Sequence, residues 1–184
     1  MPWIITLASI VLIAAAIVAA RRGLVRLNED RQQAWAALET QLAKRQELIT
    51  RIVELCARLL HDEHEAIERV THAADAALAA ARREDIPALA AAEKAHQAAV
   101  ATLLALTGNY PQLAGSGAFA ALRDRVATLD ARVADCRERY NLAASILNMR
   151  YNAYPYRLVA WSSGVRPAAV LGFGDRASGH ASSS

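Results

Sequence analysis

Apolar positions recur along this chain in two regimes, one continuous and one periodic. From Met1 to Arg22 the sequence reads MPWIITLASIVLIAAAIVAARR, with no charge between Trp3 and Ala20. As a helix at about 1.5 Å per residue, those residues reach roughly 27 Å, close to the thickness of a bilayer's hydrocarbon core. The pattern predicts a single membrane span. A secretory signal peptide fits less well: no Lys or Arg precedes the apolar run, and the run is longer than a usual h-region. A buried helix of a soluble protein is the other alternative, but only Thr6 and Ser9 break the apolar surface. Arg21, Arg22 and Arg26 follow the span and no basic residue precedes it. The positive-inside rule then places the N-terminus outside and the remainder in the cytoplasm.

Beyond the span the apolar residues step by threes and fours, the helical period. Neither Gly nor Pro occurs from Leu24 to Ile86. Leu38, Leu42, Ile49, Ile52, Cys56 and Leu59 share one face, and Arg45 falls on that same stripe. Arg45 either snorkels to the edge of the core or pairs with an acid on a neighbouring helix. Glu47 and Arg51, Glu54 and Arg58, and Glu65 and Arg69 are acid-before-base pairs four apart, expected on a solvated face. Asp85 is positioned to cap the next helix, with Pro87 in its first turn. That helix is expected to bury Leu89, Val100, Leu103 and Leu104 and to stop at Gly108. Ser116 can cap the last helix, whose seam runs through Phe119, Leu122, Val126, Leu129, Val133, Cys136, Tyr140, Ala143, Leu147 and Tyr154. Pro155 ends it.

Four helices follow, over 24–60, 64–83, 88–107 and 118–153. The expected fold is all-α: an N-terminal transmembrane helix followed by an antiparallel up-down four-helix bundle. The alternative is a long helical hairpin, with residues 24–83 as one rod. The expected organisation is an anchor over 1–22, a helical bundle over 23–155, a membrane-proximal segment over 156–173 and a disordered Gly/Ser/Ala tail over 174–184. Helix parity returns the end of the last helix to the membrane. Tyr156, Arg157, Trp161 and Arg166 are therefore expected near the headgroups, beside Arg21, Arg22 and Arg26.

Composition narrows the function. Ala, Leu and Arg dominate, and the formal net charge is only +3. No basic block with interleaved aromatics occurs, so nucleic-acid binding is not expected. Cys56 and Cys136 lie far apart, outside any CxxC spacing, and read as small apolar residues of a cytoplasmic domain. His61, Glu65, Glu68 and His72 would line one helical face, with His64 beside them, which resembles metal-ligand spacing. A polar run this dense is more often a solvated face or a helix corner. Glu93 and His96 form one Glu-x-x-His, whereas a di-iron bundle needs two. No cofactor is expected, and no catalytic residue: no phosphate loop, nucleophile elbow or triad context is present. Trp35 and Tyr140 lie on apolar seams, where aromatic side chains are more often core than ligand contacts. Asn141, Asn148 and Asn152 follow helical spacing, pointing to buried hydrogen bonds or to a partner surface.

Three segments, in order and spacing, carry a resemblance. The first is Leu24-Val25-Arg26-Leu27 with Ala34-Trp35, then Gln41-Leu42, Lys44-Arg45, Leu48-Ile49, Val53-Glu54 and the pair His64-Glu65. The second is Tyr110-Pro111 and Leu113 with Phe119 and Leu122. The third is Arg137, Arg139-Tyr140-Asn141, Asn148 and Tyr154-Pro155, with Gly164-Val165-Arg166-Pro167 beyond. On these residues the chain resembles the LemA family. It departs at Thr50-Arg51, where the family shows Pro-Asn. The resemblance implies a membrane-anchored cytoplasmic helical bundle and supplies no catalytic residue. The expected function is a membrane-tethered scaffold or adaptor with an unidentified protein partner, in contact with anionic lipid, and able to form a homo-oligomer. The expected location is the bacterial inner membrane. The alternative is a metal- or ligand-binding bundle.

Overall fold

The structure is a computed structural model that describes residues 2–57, 64–107, 109–111, 115–153 and 164–172. Four helices and no strand occur among the described residues. They are α1 (Pro2–Ala57), α2 (His64–Arg82), α3 (Ile86–Thr107) and α4 (Gly117–Asn152). Helix α1 opens on Pro2, in the first turn, where a missing N–H is tolerated. From Leu24 it continues to Ala57 without a Gly or Pro to stop it. The polar run at 58–63, where the bundle and hairpin expectations diverge, lies outside the described residues.

The chain divides into two compact units, Met1–Ala37 with Cys136–Val170, and Leu38–Asp135 with Leu171–Ser184. In the second unit, all four helices contribute to one buried cluster. Ile49 and Ile52 come from α1, Ile67, Val70 and Ala74 from α2, Ala99 and Leu103 from α3, and Phe119 and Val126 from α4. A shared core of this kind makes the unit a four-helix bundle. Polar contacts fix the sense of α1 against α2. Gln46 donates to Asp75 at 2.8 Å and Arg82 approaches Glu39 at 3.8 Å, so the two run antiparallel.

The α2–α3 hairpin turns through Arg83–Asp85. The Asp85 N–H donates to the Ala80 carbonyl and the Glu84 N–H to the Ala81 carbonyl, both at 3.0 Å. This six-to-one and five-to-two pairing satisfies the last carbonyls of α2, with Glu84 in the left-handed region at φ 51°. Asp85 then caps α3 as expected: its carboxylate accepts from the Ala88 N–H at 3.0 Å and its carbonyl from Leu89 at 2.9 Å. The cap on α4 is also present, with the Phe119 N–H donating to the Ser116 hydroxyl at 3.4 Å.

On α3 the inward face differs from the expected one. Leu89 and Leu103 are buried, Val100 is half-buried, and Leu104 is 39 % exposed. The positions between Leu89 and Leu103 that face inward include Glu93 and His96. Large apolar residues pointed to Leu104; the helical step from Leu89 instead runs through the two polar residues. Cys136 is half-buried and free.

In the first unit, α1 and α4 again run antiparallel, with Trp35 against Tyr140 and Leu24 against Leu147. Residues Trp3 to Ala19 lie outside any core. Trp3 is 73 % and Ile13 is 60 % exposed, and burial begins at Ala20 and Leu24. An 18-residue window of this helix has a mean hydropathy of 2.6, with 6 % of it buried. In length and composition it suits a membrane crossing. Residues 3–19 contribute nothing to a core among the described residues.

Candidate functional site

Three apolar stripes each carry one charged residue, and the bundle brings the three together. Arg45 lies between Leu42 and Ile49 on α1, Glu93 between Leu89 and His96 on α3, and Asp130 between Val126 and Val133 on α4. Arg45 is only 2 % exposed. Its Nη1 donates to Glu93 Oε2 at 3.1 Å and to Asp130 Oδ1 at 3.2 Å, while its Nη2 pairs with Glu93 Oε1. The planar guanidinium thus forks onto one carboxylate and shares an edge with a second. Of the two sequence readings for Arg45, snorkelling and a buried pair, the second is what the structure contains.

His96 completes the cluster. It is 1 % exposed, and its Nε2 stands 3.9 Å from Asp130 Oδ1, too far for a hydrogen bond. Among the described residues neither ring nitrogen finds a hydrogen-bond partner, and Arg45 Nε finds none either. Burial, reinforced by the Arg45 charge and only partly opposed by Glu93, lowers the His96 pKa to about 4. Neutral imidazole is therefore the resting form near pH 7. Burial pushes the Asp130 carboxyl up, and the Glu93 charge adds to this, while Arg45 holds it back. Burial alone would lower the Arg45 pKa, but the hydrogen bonds and charges of Glu93 and Asp130 outweigh it and raise it. With His96 neutral, one cation faces two carboxylates, and the cluster carries a formal charge of −1.

Such a cluster is a clamp between α1, α3 and α4. A buried ion pair is weak as a source of net stability, but its geometry fixes which residues meet.

The exposed face of α2 carries the other candidates. His64, Glu65, Glu68 and His72 are all exposed, and His61 lies outside the described residues. Glu65 pairs with Arg69 at 3.6 Å, and Glu47 with Arg51 at 2.7 Å, as the acid-before-base spacing predicts. Among the described residues no group of three His, Cys, Asp or Glu side chains converges in a metal-ligand arrangement.

The first unit contains a second constructed feature, a strap of C-terminal chain on α4. Asn148 bonds both backbone groups of Ala168: its Nδ2 donates to the carbonyl at 2.8 Å and its Oδ1 accepts from the N–H at 2.9 Å. The Tyr140 hydroxyl donates to the Ala169 carbonyl at 3.0 Å, and the Tyr140 ring meets Trp35 edge-on with centroids 4.9 Å apart. Val165 packs with Leu24 and Leu147, both fully buried. Asn148 thus serves a hydrogen-bonding role in a half-buried position, directed at returning chain instead of a neighbouring helix. Arg21, Arg22, Arg26 and Arg166 are exposed; Trp161 lies outside the described residues. The strap therefore comes back to the end of the apolar stretch. Replacing Asn148 with Ala removes two hydrogen bonds, each worth about 1 kcal/mol net. Hydrogen exchange of the Ala168 amide, which Asn148 holds, is expected to accelerate by roughly thirtyfold, with the helical circular-dichroism melt nearly unchanged. Unchanged exchange would show that Asn148 does not hold the strap.

A four-helix bundle whose first helix begins with a long exposed apolar stretch defines the class: a small helical domain carried on an apolar N-terminal helix. The chain belongs to the LemA family, whose model matches residues 34–181. The match takes in the clamp, the strap and both aromatic partners, and begins after Leu24–Leu27. No curated protein matches the chain.

Proposed function

We propose that the chain is a membrane-tethered scaffold or adaptor of the cytoplasmic membrane, with its N-terminus outside and its bundle in the cytoplasm. The observation that carries this reading is the exposed apolar run ending where Leu24 enters a packed unit. An apolar surface of that extent is stable only in contact with lipid or protein. Charge supports the orientation. Arg21, Arg22 and Arg26 follow the span, and from Arg139 to Gly174 the chain has no acidic residue while carrying Arg150 and Arg166. These arginines favour anionic headgroups by about 1 kcal/mol each near the surface. The clamp supports a structural role: Arg45, Glu93 and His96 are buried in it, and it fixes helix register. In this reading the molecule is not an enzyme, binds no nucleic acid, and offers its helical surface to a protein partner or to a second copy.

The test uses the full chain in its membrane. Cys56 and Cys136 are replaced by Ala, and single cysteines are placed either beside Met1 or at exposed Ala79. An impermeant maleimide should label the first site in intact cells and the second only after lysis. Crosslinking from Ala79 and Ala98 should then yield a discrete adduct. Extraction of the chain by alkaline carbonate, labelling of Ala79→Cys from outside, or absence of any discrete adduct would each overturn the reading.

A further inference from the structure

Protein interiors rarely leave voids larger than a water molecule. This bundle contains a cavity of about 150 Å³, walled by all four helices through Ile49, Val70, Leu103 and Phe119, among others. Its lining is almost wholly apolar, so water there gains few hydrogen-bond partners and is readily displaced. A cavity of that size accommodates a ring of about benzene dimensions, as an engineered apolar cavity of similar volume does. Leu104, 39 % exposed, belongs to the same wall and marks the side facing solvent.

Two charged residues interrupt the apolar lining, Arg123 and Asp130. Arg123 is matched on the surface, its Nη2 standing 3.3 Å from Asp124 Oδ1. Asp130 is not matched in charge. It shares Arg45 with Glu93, which takes two of the guanidinium's contacts, so the two carboxylates exceed the one cation. His96, 3.9 Å away, is neutral at pH 7 and does not compensate. The cavity is thus apolar along its walls and electronegative at one side.

We propose that this cavity is a binding site for a small apolar molecule bearing a cationic amine, its hydrocarbon among the four helices and its ammonium on Asp130. An anion of the same size would meet uncompensated negative charge, and a neutral hydrocarbon would gain only the apolar contacts. The site is separate from the scaffold reading and stands without it.

The experiment uses the full chain in lipid nanodiscs with benzylamine, toluene and benzoate as probes, read by titration calorimetry and by thermal melting. Benzylamine should bind at least tenfold more tightly than toluene and raise the melting temperature in proportion to its concentration. Benzoate should not bind. Asp130→Asn should abolish the preference for benzylamine over toluene. Because that change also touches the Arg45 clamp, a second variant, Ala127→Leu, fills the cavity without removing a charge. It should fold normally and bind neither benzylamine nor toluene. The proposal is overturned if benzylamine does not bind, if toluene binds as well as benzylamine, or if Ala127→Leu leaves benzylamine binding intact.

Discussion

Replacing Arg45 with Met is expected to destabilise the bundle by roughly 3–5 kcal/mol, the usual consequence of removing one member of a buried pair. The loss does not measure what the ion pair contributes to folding. It arises because Glu93, whose side chain is 8 % exposed, is left ionised without the guanidinium that takes both of its oxygens. The carboxylate must then remain buried and unpaired or take up a proton, and both are unfavourable. The matching double variant, Arg45→Met with Glu93→Leu, is expected to recover most of the loss, because apolar residues of similar volume substitute well for a buried pair. Arg45→Lys should fall between, since an ammonium cannot fork onto Glu93 while reaching Asp130. Urea unfolding of the full chain in detergent, followed by circular dichroism, measures all three. A single Arg45→Met variant as stable as the parent would remove the clamp from the account of this fold.

The clamp was partly legible in the sequence. Arg45 interrupts an apolar stripe at a helical step from Leu42 and Ile49, and that step alone raised a buried pair. Glu93 sits four residues after Leu89 and His96 seven after it, on the stripe that ends at Leu103. Asp130 lies four after Val126 and three before Val133. Three charged residues on three inward stripes are a signal that one helix read alone does not give, because each has an innocent reading at the rim of a core. Leu104 shows the same effect: its apolar side chain suggests burial, whereas the helical step from Leu89 favours Glu93 and His96. The strap was harder to see. Asn148 stood out as a poor helix former on a long helix, but its partner is the backbone of Ala168, which carries no side-chain signature. The cavity has none at all, since a void depends on how four faces fail to fill the space between them.

His96 makes stability depend on pH in a direction fixed by its burial. In the unfolded chain its pKa is about 6.5; in the folded protein it is lowered to about 4. Above pH 6.5 neither state holds the proton, and the contribution of this residue to stability is fully present. Between 6.5 and 4 the unfolded chain takes up a proton that the folded protein refuses, so stability falls as the pH falls, by up to about 1.4 kcal/mol per pH unit. The whole loss comes to about 3 kcal/mol by pH 4. Asp130 works against it: its raised pKa lets the folded state accept a proton sooner than the unfolded chain does, which recovers stability as the pH falls. His96→Leu removes the titrating group, and it also removes two buried nitrogens that lack partners. The variant should be at least as stable as the parent at pH 7, and its urea midpoint should no longer fall as the pH is lowered from 6.5 to 5. A variant that loses as much stability as the parent over that interval would place the pH dependence elsewhere, and a variant much weaker at pH 7 would mean that the ring nitrogens are partnered after all.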